Sequence, residues 1–247
     1  KCRSINDLKK IKVLDPACGS GSFLIKALEV IAEKYKDFNC PVNEFTKIQI
    51  ILENLYGVDL DMQAVEIATL NLLINTLEEK GKLPSLDKNI KNGNSLISGT
   101  DEELKKYFGK NFRDKKPFNW HEEFPEVFKQ GGFDVIIGNP PYIQLSMEEE
   151  VDESLKKYLI DTYHSSMGRL NTFGFFIKLG IDILRDKGCL GYIIPNTILT
   201  QDYYKDLRVM ILKSCSIIKI LSLNELPFKD AVVENVMTNP IFTSDLK

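Results

Sequence analysis

The stretch that most constrains the fold is Phe133-Asp134-Val135-Ile136-Ile137-Gly138 followed by Asn139-Pro140-Pro141-Tyr142. Apolar residues on both faces of the run suit a strand in the middle of a parallel sheet. Two consecutive prolines then stop both a ladder and a helix, so the chain turns at the strand's carboxyl end. In open α/β sheets that end is where ligands bind. An Asn on a proline-stiffened turn offers a side-chain carbonyl, and the backbone carbonyl beside it is equally fixed. The two are a pair of acceptors suited to an NH2 group, and Tyr142 adds a flat face for a planar ring. Four such residues alone also fit a rigid turn with a surface tyrosine.

The rest of the chain supplies a nucleotide-binding frame. Ile11 to Asp15 reads as a first strand, and Pro16-Ala17-Cys18-Gly19-Ser20-Gly21-Ser22 as a glycine turn. A helix follows, carried by Phe23, Leu24, Ala27, Leu28 and Ile31. No Gly-Lys-Ser/Thr follows the turn, so it is not a phosphate-gripping loop, and no third glycine completes a dinucleotide fingerprint. Asp15 ahead of Gly19 and Gly21 offers a carboxylate to an ammonium, which suits S-adenosylmethionine better than a pyrophosphate.

A helical patch over Phe45 to Leu52 precedes a second strand, Leu55 to Asp61, and a helix through Ala64, Ile67, Ala68, Leu72 and Leu73. Asp59, at the end of that strand, is placed for ribose hydroxyls. Asp61 reads as the helix N-cap. Ile90 to Leu96 is a short third strand, and its Asn94 either meets an adenine or closes a turn. Residues 98–131 form an aromatic insertion. Interleaved rings and cations can serve nucleic acid, but Glu122, Glu123 and Glu126 dilute the basic character, so packing onto the domain is the simpler reading.

Beyond the proline turn, Glu148 to Gly168 is polar and reads as a mobile flank of the site. Asn171 to Leu184 reads as a helix, Gly188 to Pro195 as a fifth strand, Leu199 to Leu212 as a helix and Ile217 to Leu221 as a sixth strand. Leu226 to Lys229 is a loop before a last strand, Asn235 to Phe242. The final two strands have no helix between them and must be antiparallel. The fold class is therefore α/β: a doubly wound, mostly parallel seven-stranded sheet with one antiparallel strand.

Composition sets the outer bounds. The 247 residues are 43% hydrophobic and 27% charged, enough for one large core. A net charge of -3 argues against coating nucleic acid by charge alone. Five cysteines without a C-x-x-C pair, and only two histidines, read as reduced thiols of a cytoplasmic protein, with no metal site. The longest apolar stretch is interrupted by Gly174, Lys178, Gly180 and Asp182, so no membrane span is expected. Without an initiator Met, the chain reads as a piece of a longer protein.

In order, Asp15 to Phe23, Gly57 to Asp61, Gly93 to Leu96, Phe133 to Tyr142, Gly188 to Asn196 and Phe228 resemble the gamma-class N6-adenine DNA methyltransferases. Phe118 to Phe128 further resembles the methyltransferase part of type IIG restriction-modification enzymes. The resemblance covers nearly the whole chain. It implies a Rossmann-like methyltransferase domain over 1–247, with S-adenosyl-L-methionine as cofactor and double-stranded DNA as partner. It assigns the cofactor to Asp15, Ala17, Cys18, Gly19, Gly21, Asp59, Leu60, Asn94 and Ser95. Asn139 and the Pro140 carbonyl would hold the target amine, and Tyr142 and Phe228 would stack on a flipped base. Many relatives carry Asp where this chain has Asn94. The family's N-terminal cover of the cofactor and its target-recognition domain have no room here, and no nuclease pattern is visible. A protein-glutamine methyltransferase and an inactive cofactor-binding scaffold are the competing readings.

Overall fold

The computed structural model describes residues 4–76, 83–145, 152–163 and 170–221, and the backbone of 235–236 and 242–243. The first half alternates strand and helix: α1 (Ile5–Lys10), β1 (Val13–Asp15), α2 (Ser22–Asp37), α3 (Glu44–Asn54), β2 (Leu55–Asp59), α4 (Met62–Ile74) and β3 (Ile90–Asn92). Residues 98–131 fold as three short α-helices, α5 (Asp101–Phe108), α6 (Trp120–Glu123) and α7 (Pro125–Phe128), with a 3-10 helix over Gly109–Lys115. Then come β4 (Phe133–Gly138), α8 (Glu153–Tyr163), α9 (Thr172–Ile183), β5 (Leu184–Tyr192) and β6 (Ile194–Pro195). The last elements are α10 (Thr197–Thr200), α11 (Lys205–Ser214), β7 (Ser216–Ile217), β8 (Asn235–Val236) and β9 (Phe242–Thr243).

Seven strands form one sheet in the order β3-β2-β1-β4-β5-β9-β7. The first five are parallel, and β9 runs antiparallel to both of its neighbours. The single reversed strand expected from the missing terminal helix is therefore β9. β1 and β4 lie at the centre, so the glycine turn after β1 and the proline turn after β4 emerge side by side.

Four expectations need correction. The last strand divides, since 235–236 pair with β6 in a separate two-stranded ladder and only 242–243 join the main sheet. The sixth strand reduces to Ser216–Ile217. The fifth begins at Leu184, because left-handed Lys187 (φ 61°) forms a bulge that shifts the pairing between Phe133 and Val135. The expected helix from Leu199 breaks at extended Gln201 (φ −80°, ψ 132°) into α10 and α11. Arg208 bridges that break, donating from Nη1 to the Ile198 and Gln201 carbonyls (both 2.8 Å).

The insertion is core. Phe118, Trp120, Phe124 and Val127 are buried, and Phe124 meets Tyr56 and Phe133 edge-on, with ring centres 5.2 and 5.8 Å apart. Three of the four rings, Phe118, Trp120 and Phe124, thus pack onto the sheet as the packing reading holds, while Phe128 is partly buried, against Phe133 and His121.

One buried amide sets the start of the second strand. Asn89 Nδ2 donates to the Ile51, Leu52 and Leu55 carbonyls at 3.2, 3.1 and 2.9 Å, satisfying the carboxyl end of α3 where it runs into β2. Asn89→Leu leaves those acceptors without their buried donor. Urea unfolding should show a loss of about 1–3 kcal/mol at unchanged m-value.

Candidate active site

The carboxyl ends of β1, β2, β3 and β4 open onto one cavity of about 550 Å³. Its wall contains Ala17 from the glycine turn, Asp59 and Leu60 from the end of β2, Asn94 and Ser95 from the end of β3, and Asn139. These segments, up to 122 positions apart (17 to 139), were singled out separately in the sequence. The parallel sheet brings them together. The volume lies within the range of small-molecule sites.

The glycine turn is built by two left-handed residues, Gly19 (φ 52°) and Gly21 (φ 83°). A Cβ on Gly21 would also lie 3.2 Å from Ala68 of α4, so the turn and that helix share one fit. Gly19 N–H donates to Asp59 Oδ2 (2.8 Å), and Asp61 N–H donates to Oδ1 (2.9 Å). Asp59 thus ties the first turn to the second while keeping lone pairs toward the cavity. Asp61 caps α4 through Gln63 N–H, as expected. Cys18 is buried, its N–H bonded to the Val58 carbonyl (3.0 Å) and its thiol pushed up by burial. The Leu60 carbonyl receives Asn92 Nδ2 (2.9 Å) and Lys116 Nζ (3.0 Å). Ser95 Oγ donates to the Pro16 carbonyl (2.6 Å), locking the third turn to the first.

Asn94 does close a turn: its Oδ1 accepts from Leu96 N–H (3.1 Å). The residue also lines the cavity. Asp15 departs from the simple picture. It is 0% exposed and does not line the cavity; Ala17 N–H donates to Oδ1 (3.1 Å), and Oδ2 is buried with no hydrogen-bond partner. Burial, with a further push from Asp59, raises its pKa to about 7.

At the proline turn, Asn139 lines the cavity, whereas Pro140 is buried. Tyr142 is half-buried and does not line the cavity. Its ring sits edge-on to Phe173, centres 6.3 Å apart, and its hydroxyl lies between Asn139 Oδ1 and the Ile193 carbonyl (2.9 Å). The tyrosine is therefore anchored through its hydroxyl as well as presenting a ring. One hydroxyl proton cannot serve two acceptors. Turning the Asn139 amide over resolves the conflict: Nδ2 donates to the tyrosine oxygen, the tyrosine proton goes to Ile193, and Oδ1 faces away from the ring. Phe228 lies outside the described residues.

Sequence reading missed the cover of the cavity. Residues 153–163, taken within a polar flank, are the helix α8, and Leu155 and Leu159 line the cavity. Leu155, Tyr158, Leu159 and Tyr163 recur at helical spacing, which was the available signal. Residues 148–151 and 164–168 of that flank lie outside the described residues. Asp152, at the mouth, is held by Lys115 (2.7 Å) and by Ser154, and its pKa falls to about 2. Among the described residues no three His, Cys, Asp or Glu side chains are grouped to hold a metal, and no helix is long and apolar enough to cross a membrane.

Residues 53–228 match the family model described as Eco57I restriction-modification methylase. The chain is 30% identical to the type II restriction enzyme and methyltransferase RM.Eco57I of Escherichia coli, over 90% of this chain and 24% of that protein. It is 24% identical to the adenine-specific methyltransferase PglX of Streptomyces coelicolor, over 79% of this chain and 17% of that protein. The chain thus spans a quarter or less of these relatives. Among solved structures, the type IIL restriction-modification enzyme MmeI in complex with DNA superposes with a TM-score of 0.60 at 16% identity, over 94% of this chain and 31% of that one. The type I EcoKI M protein gives 0.56 at 19%, over 96% and 44%. These likenesses carry the fold.

Asp15 gives a pH signature. Its folded pKa is raised from 3.8 to about 7, so its contribution to stability is complete below about pH 4 and lost as pH rises through 7. Asp15→Asn removes that loss. Relative to wild type, the ligand-free variant should gain stability between pH 4 and 7, by at most about 4 kcal/mol, and the difference should level off above pH 8. Urea unfolding at pH 5, 6, 7 and 8 checks it; a pH-independent difference excludes a buried titrating Asp15.

Proposed function

The chain belongs to the Eco57I restriction-modification methylase family, and from that membership we propose that it transfers a methyl group from S-adenosyl-L-methionine to the N6 amine of an adenine flipped out of duplex DNA. It does so as the methyltransferase domain of a larger restriction-modification or phage-defence protein of the cytoplasm. The observation that carries this reading is that the glycine turn, Asp59, Asn94 and Asn139 share one cavity.

The residues fit the cofactor. Asp59 and Asn94 present acceptor and amide groups on the cavity wall for ribose and adenine. Asp15 Oδ2, buried without a partner beneath the turn, is matched by an ammonium group. A cation beside it would draw its pKa down again, turning an unfavourable burial into a favourable one. When bound, S-adenosyl-L-methionine supplies an electrophilic sulfonium methyl. The remaining work falls to the chain. The lone pair of an adenine amine is delocalised into the ring, so the amine is a poor nucleophile. Asn139 Oδ1 and the Pro140 carbonyl accept its two hydrogens, favour a tetrahedral nitrogen and stabilise the positive charge that develops there. No strong base is required before transfer. The turned amide suits this role, because it directs Oδ1 away from Tyr142. A base within a duplex cannot reach this depth, so it must leave the stack. The relatives' names favour an adenine acceptor over a protein amide.

Two measurements test the reading. Asp59→Ala should weaken S-adenosyl-L-methionine binding in calorimetry by about 1–3 kcal/mol, the scale of hydrogen bonds to a charged group; unchanged affinity removes Asp59 from the cofactor site. In the intact protein, Asn139→Ala should lower methyl transfer to DNA about 100- to 1000-fold while cofactor affinity stays near wild type. Near-normal turnover would sink the assignment.

A further inference from the structure

Prolines fix φ at positions 140 and 141, but they leave free the torsions that aim the rest of the turn. The orientation of the Pro141 carbonyl depends on ψ at Pro141, and that of the Ile143 N–H on ψ at Tyr142. One side chain engages both groups. Thr172, 7% exposed at the first turn of α9, donates from Oγ1 to the Pro141 carbonyl and accepts at Oγ1 from Ile143 N–H (2.9 Å). Its own N–H donates to the Ile143 carbonyl (3.0 Å), Leu145 N–H donates to the Leu170 carbonyl (2.8 Å), and Gln144 pairs antiparallel with Asn171. The chain after the second proline is thus stitched to the residues leading into α9, a helix whose first six residues are all buried.

The hydroxyl spans the two peptide groups on either side of Tyr142, the residue whose own hydroxyl contacts Asn139. We infer that Thr172 is a positioning residue for methyl transfer: its hydroxyl sets the Pro141 and Tyr142 backbone and, through Tyr142, aims the Asn139 amide. This rests on the amine-holding role of Asn139 proposed above. Thr172 is part of none of the sequence motifs, because a threonine at a helix start reads only as a local cap. Here the cap belongs to Asn171, whose Oδ1 accepts from Phe173 N–H (3.3 Å), and the threonine is released for the turn.

The two bonds need an oxygen, so the isosteric Thr172→Val loses them and keeps the volume, while Thr172→Ser keeps them. Both variants of the intact protein are compared with wild type in two measurements. Hydrogen–deuterium exchange at the Ile143 amide reports the clamp itself. Steady-state transfer of tritiated methyl from S-adenosyl-L-methionine to plasmid DNA free of N6-methyladenine reports its consequence. In T172V, Ile143 exchange should rise about tenfold, the loss of one hydrogen bond. Its kcat should fall about ten- to hundredfold, the range for a misplaced reacting group, with KM for the cofactor within about twofold. T172S should stay near wild type in both. A merely structural role would lower thermal stability without separating kcat from KM. Unchanged Ile143 exchange or unchanged kcat in T172V overturns the inference, and so does an equal kcat loss in T172S. If T172V does not fold, Thr172→Ala is judged by the same criteria. If wild type transfers no methyl to DNA, the proposed function fails and the exchange result alone upholds or overturns the clamp.

Discussion

The site depends on how closely the ends of β1 and β4 approach. At Gly138 (φ 153°) a Cβ would lie 2.6 Å from Asp15 Oδ1, so a side chain there is excluded by space as well as by backbone conformation. This contact sets Asn139, one residue on, beside the glycine turn that follows Asp15. Ile193 N–H donates to the Gly138 carbonyl (3.0 Å) and the Ile193 carbonyl faces the Tyr142 hydroxyl, so the end of β5 braces the same turn. The glycine-turn side and the proline-turn side of the cavity are held together by one glycine and one buried carboxyl group.

That carboxyl group is a stability liability kept in place by the turn. A charged oxygen with no partner is costly in a dry interior, and the response here is a pKa near neutrality. The other two acids of the site are treated differently. Asp59 receives two backbone N–H groups, and Asp152 pairs with Lys115. The three carboxyl groups at and behind the cavity wall are therefore held in three different ways, and of the three only Asp15 has a buried oxygen without a hydrogen-bond partner.

Much of this was legible in the sequence, and the reason is local. The runs at 13–15, 55–59 and 133–138 end in an acid or a glycine, residues whose backbone and charge requirements announce a turn. The aromatic insertion was legible too, because its acids made a nucleic-acid surface the poorer reading. What could not be read depends on contacts between distant segments. The break at Gln201 is sustained by Arg208, and the split of the terminal strand reflects which ladder each half finds. The inward turn of the Tyr142 hydroxyl depends on Ile193, 51 residues away. α8 had a helical period, but flanking glutamates and its distance from any motif hid it.

Thr172 marks the limit of motif reading most clearly. In the proposed reaction the motif Asn139 to Tyr142 contains the groups that meet the substrate, but not the groups that hold the turn still. Proline supplies part of that rigidity within the motif. The remainder comes from the amino end of α9, thirty residues later, where burial of Phe173, Phe175 and Ile177 anchors the helix on the sheet. The hydroxyl of Thr172 transmits that anchorage to the turn. Substrate contacts can be compressed into four adjacent residues because they act on one small group. Rigidity must be drawn from the core, and the core is assembled from the whole chain.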